Sequence, residues 1–113
     1  MVKSRKGYDL KRKILRDLKV DNNVNSYHLE YCKLFNHLAF AESLEKYGAI
    51  EQAGFIYENS VSRAKDYFGP ESTWAGLIII EAVVFYERIG KDKKAKELWL
   101  EIIPIASKII QSC

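Results

Sequence analysis

The sequence predicts an all-α fold of antiparallel helical hairpins, on three observations. Apolar residues recur at helical spacing through most of the 113 residues, and no segment alternates with period two for long enough to make a strand. Gly48, Gly69-Pro70 and Gly90 stand where these periodic segments break off, as helix stops do. One stretch also returns after 42 residues. Tyr47-Gly48-Ala49-Ile50-Glu51-Gln52-Ala53 reappears as Ile89-Gly90-Lys91-Asp92-Lys93-Lys94-Ala95, each with an aromatic four residues past its Ala, Tyr57 and Trp99.

About five helices follow in order. Residues 1–7 read as a disordered basic tail. Over residues 8–20, Leu10, Ile14, Leu15 and Leu18 share one helical face and Lys/Arg fill the other, which predicts a basic amphipathic helix. Residues 21–26 form a polar loop whose Asn25 or Ser26 can cap the next helix by accepting its free amide protons. That helix runs from about Tyr27 to Tyr47 on the stripe Tyr27, Tyr31, Leu34, Phe35, Leu38 and Ala41, and Gly48 closes it. The next runs from about Ile50 to Tyr67, with Ala53, Ile56, Tyr57, Val61 and Ala64 inward. Gly69-Pro70 stops it, because proline cannot continue the hydrogen bonding. Ser72 or Thr73 starts a helix through Arg88 that is apolar nearly all round between Trp74 and Tyr86, so it should be central. The last spans about Asp92 to Gln111, with a bend expected at Pro104. Residues 8–113 are thus one domain, with helix pairs over 27–69 and 72–113.

Composition bounds the function. Apolar residues make up 48% of the chain, enough for a modest single core. The longest uncharged apolar run, Trp74 to Ile80, is far too short to cross a bilayer. No apolar signal core follows the basic start. Cys32 and Cys113 make no disulfide framework, so the expected compartment is reducing: cytoplasm, or nucleus in a eukaryote. Charge is uneven. Residues 1–20 hold eight Lys/Arg against two Asp, net +6, and the rest of the chain nets −3.

Helix pairs with Gly and Ala in this register resemble tetratricopeptide repeats over about residues 34–109. Ala41, Leu44, Gly48, Ala53 and Tyr57 match the family pattern in one copy, and Tyr86, Gly90, Ala95 and Trp99 in the second, where Val83 replaces the small residue. The period departs from the usual one of about 34 residues. The connection Tyr67-Phe68-Gly69-Pro70-Glu71-Ser72-Thr73 is similar to the link in the longer repeats of kinesin light chain. The resemblance implies a right-handed array of about two repeats with the N-terminal helix as a cap or arm. It also implies a non-catalytic adaptor that holds a peptide or helix of a partner protein. Its groove would be lined by Phe35, Leu38, Glu42 and Glu45 from the first pair and by Leu77, Ile80, Glu81, Val84 and Arg88 from the second. Chaperone-binding members hold a terminal carboxylate with a Lys/Asn/Arg clamp. Here Glu42 stands where the clamp wants Asn and Leu38 where it wants Lys, which argues against that ligand. An unrelated antiparallel bundle would also want Gly at its turns and Ala at close contacts.

Other constellations carry less. His28 and Cys32 have ligand spacing, but no second pair completes a zinc site, and no metal or cofactor is expected. No nucleophile–base motif or phosphate loop appears, so no enzyme activity is expected. Lys11, Arg12, Lys13, Arg16 and Lys19 support an alternative function, a small nucleic-acid-associated protein that binds through its basic arm without sequence readout. A helix-turn-helix over 39–63 fails because Glu51 and Glu58 would face phosphate. In the last helix, Leu98, Trp99, Ile102, Ala106 and Ile109 form the inward stripe. Leu100, Ile103 and Ile110, with Ile105 added, form a second stripe that predicts a homodimer or a docked partner helix. Its competitor is coverage by Ile14 and Leu18 of a folded-back N-terminal helix.

Overall fold

The computed structural model describes residues 7, 9, 10, 12 and 25–111. Four helices lie among them: α1 (Asn25–Lys46), α2 (Ile50–Phe68), α3 (Thr73–Arg88) and α4 (Asp92–Gln111). The class is all-α, and the expected N-terminal helix falls mostly outside the described residues. Of the expected first helix only Asp9, Leu10 and Arg12 are described, all helical in backbone, and the rest of it lies outside the described residues. Gly7, read from sequence as part of a tail, is also helical in backbone and is buried.

The 42-residue echo has a physical counterpart. After α1 the amide of Gly48 donates to Glu45 O (3.0 Å) and that of Ala49 to Leu44 O (2.9 Å). After α3 the amide of Gly90 donates to Glu87 O (3.2 Å) and that of Lys91 to Tyr86 O (2.9 Å). Both are Schellman closures, and they need a left-handed residue at their centre. Gly48 and Gly90 supply it with φ of 85° and 80°. Ala53 and Ala95, 0% and 3% exposed, then sit where the paired helices meet.

Several boundaries differ from expectation by a residue or two. α1 begins at Asn25 rather than Tyr27. Ser72 caps α3, its hydroxyl accepting from the Trp74 amide at 3.1 Å. α4 continues through Pro104.

Each helix packs on the next in sequence, and α1 also touches α3, while α1 and α4 make no backbone approach among the described residues. The directions follow from paired side chains. Glu30, early in α1, meets Arg63, late in α2, so those two run antiparallel. Glu45 meets Arg88 and Tyr31 meets Trp74, so α1 and α3 run side by side in the same direction. α3 is the central helix, as expected: Leu77, Ile78, Ile79 and Ile80 are at most 1% exposed. Phe85 stacks on Tyr57 at 4.3 Å across the α2–α3 joint. At the other end of that joint Phe68 stacks on Trp74, and Tyr27 meets Phe68 edge-on.

Candidate functional site

The expected groove residues fall on α1 and α3, which lie side by side. Two of them belong to the interior: Leu38 is 4% exposed and Leu77 is fully buried. Ile80 and Val84 are also buried, at 1% and 5%. The α3 face that carries them is occupied by the chain itself. Gly7 lies so close that a methyl built on it would stand 3.1 Å from Val84 Cγ2 and 3.2 Å from Ile80 Cγ2. Leu10, half-buried, packs on the same core. A residue without a Cβ lets a helical backbone approach α3 this closely.

The polar members form a connected edge. Arg88 donates from Nε to Glu45 Oε2 (3.0 Å) and from Nη2 to Glu45 Oε1 (2.8 Å), a bidentate pair. A further Nη2 contact reaches the Tyr57 hydroxyl at 3.5 Å. Glu42 is exposed and sits 3.9 Å from Lys46. Burial pushes the Tyr57 phenol up to about 12 against the nearby Arg88, with Glu45 and Glu42 adding to the rise, so these charges share one neighbourhood. Tyr31 is likewise pushed up to about 12, first by burial and then by Glu81 and Cys32. Glu81 is half-buried, and Phe35, 38% exposed, lies 5.8 Å from the Tyr31 ring. The face therefore has an apolar floor, aromatic residues at one end and carboxylates along its length. It offers contact surface and charge.

The second stripe of α4 divides. Leu100 and Ile103 are 64% and 53% exposed, whereas Ile105, expected beside them, is fully buried. The Ile110 side chain lies outside the described residues, as do Ile14 and Leu18. Of the basic arm, Arg12 is exposed, and Lys11, Lys13, Arg16 and Lys19 lie outside the described residues. His28 Nε2 stands 3.7 Å from Cys32 Sγ, and no group of three or more metal-ligating side chains exists among the described residues. No described helix is long and apolar enough to cross a membrane.

Two features escaped the sequence reading. Glu30, its side chain 8% exposed, is held by Arg63 at 2.9 Å across α1 and α2. Its place one turn before Leu34 on the inward stripe was the available signal, masked by its charge. A cavity of about 320 Å³ also opens on the outer side of the first hairpin, between Leu34, His37 and Phe40 of α1 and Phe55, Ile56 and Arg63 of α2. Phe40 and Phe55 fall off the apolar stripes, so nothing in the periodicity marked them as neighbours.

No family model, characterised protein or solved structure matches this chain.

Proposed function

We propose that this chain is a non-catalytic interaction module whose two hairpins act as tetratricopeptide-like units and whose α1/α3 face holds one helix of a partner protein. One observation carries the reading: the α3 side of that face already accepts a helical backbone, with Gly7 seated against Ile80 and Val84. A surface that receives one helix in van der Waals contact has the shape to receive another. Glu42, Glu81 and the Glu45–Arg88 pair border it, which favours a helix with basic side chains flanking a small residue. The Glu45–Arg88 pair and the Tyr31–Trp74 contact hold α1 beside α3, so the face is preformed.

Charge reversal tests this. Glu42→Lys and Glu81→Lys are expected to weaken capture of a native partner about tenfold or more each, and Glu42→Lys, at an exposed position, should melt with wild type. Glu97→Lys, on exposed α4 surface, should leave capture unchanged. Equal losses in all three variants would remove the α1/α3 face from the account. Loss in none of them would do the same.

A further inference from the structure

The α2–α3 joint can be read as a template for a second one. In that joint Glu58 and Val61 of α2 face Ala82 and Tyr86 of α3 across a small cavity of about 160 Å³, with Leu98 of α4 beside them. The hairpin of α3 and α4 is thus the seat on which α2 rests. Moving each residue by the 42-residue repeat gives its counterpart. Glu58 and Val61 become Leu100 and Ile103 on α4. Ala82, Tyr86 and Leu98 become Phe40, Leu44 and Ile56 on the first hairpin.

All five counterparts are apolar. Three are large side chains left in solvent: Phe40 at 59%, Leu100 at 64% and Ile103 at 53% exposure. Phe40 and Ile56 line the open cavity on the outer side of α1 and α2, where the second hairpin carries α2 at the matching place. Among the described residues, one end of the stack therefore has a ridge without a seat, and the other has a seat without a ridge. Exposed apolar residues that would be scattered singly on an ordinary surface instead meet face to face when the internal joint is repeated between molecules.

The geometry points to a second copy of this chain as the occupant: Leu100 and Ile103 of one copy seat on Phe40 and Leu44 of the next, continuing the stack head to tail. The inference rests on the two-unit reading proposed above. Such a contact is heterologous, so each copy keeps one free end and the assembly grows with concentration unless it closes into a ring. It differs from a back-to-back dimer through α4, in which both partners would use the same stripe.

Complementation of single-end variants tests it. Ile103→Glu spoils the ridge and Phe40→Glu spoils the seat. Both side chains are more than half exposed, so each variant should melt with wild type. In sedimentation velocity, the wild-type mass is expected to rise with concentration, and each variant alone should remain a monomer. Their equimolar mixture should form a two-chain species and nothing larger, because one intact ridge meets one intact seat. Leu100→Glu and Phe40→Asp repeat the test if either first variant melts early. A mixture that stays monomeric overturns the inference, as does a wild type that stays monomeric at every concentration. A Phe40→Glu chain that still dimerises overturns it in favour of the back-to-back arrangement. None of these substitutions changes a residue bordering the Gly7 seat, so partner capture by α1/α3 can survive the failure of this inference.

Discussion

The two hairpins close with the same turn, yet α3 is buried along nearly its whole length while α1, its counterpart 42 residues earlier, leaves Leu29, Phe35 and Phe40 in solvent. The difference lies in the neighbours. α3 has α2 on one side, α4 on the other, and α1 and the Gly7 segment over its remaining face. Among the described residues α1 has only α2 and α3. Composition follows the neighbours position by position. Ala75, Ile79 and Ala82, none of them exposed, occupy the register of Lys33, His37 and Phe40. The repeat thus sets local geometry, and the surroundings decide which side chains that geometry can bear.

The sharpest way to break this comparison is a substitution made at one register in both hairpins. Phe85→Ala should cost about 3–5 kcal/mol, because the ring is fully buried and stacks on Tyr57. Ser43→Ala, at the same register in exposed α1, should stay within about 0.5 kcal/mol of wild type. Urea unfolding of both variants measures the difference, and comparable losses would erase it.

Where the hairpins are alike, paired substitutions should agree. Ala53→Leu and Ala95→Leu should each cost about 1–3 kcal/mol by overpacking the contact between paired helices. Unchanged melting in both would remove the repeat alignment. Gly48→Ala and Gly90→Ala should each cost about 1–2 kcal/mol. A Cβ at either position meets nothing within 4 Å, so the cost is backbone conformation alone and should be the same at both turns. A large disparity would mean that the two closures are not equivalent.

The last effect expected is confined to alkaline pH. Tyr57, at the α2–α3 joint, and Tyr31, beside Trp74, are both pushed up to about 12 by burial. Their folded values lie above the ordinary 10.0, so the stabilisation they carry is fully present below pH 10.0 and is lost as pH rises toward about 12. Thermal melts over that range should fall, and Tyr57→Phe should flatten the fall. A flat wild-type profile would mean that both phenols ionise freely in the folded chain.

Much of the fold was legible because helices announce themselves locally. The stripes of α1 and α2, the all-round apolar character of α3 and the two Gly stops are short-range signals. The candidate site was less legible because it depends on meetings between distant residues. Phe35, Glu42, Glu45 and Arg88 could be placed by register, but periodicity alone could not reveal that Glu45 and Arg88 would bind one another. Leu38 and Leu77 look alike as groove or core, and the packing of α3 against its neighbours makes them core. Gly7 gave no signal, since its glycine matters only where it meets Ile80 and Val84, more than seventy residues away.

That meeting is the most direct place to test the account, whose central claim is that the α1/α3 face holds a helix. In a methyl-labelled sample, nuclear Overhauser contacts from the Gly7 Hα protons to the γ2 methyls of Ile80 and Val84 can be measured in the free chain. Both contacts are expected, and they should weaken when a partner helix binds that face. Methyl groups of Ile80 and Val84 that show contacts only to α1 and α3, with none to Gly7, would contradict it.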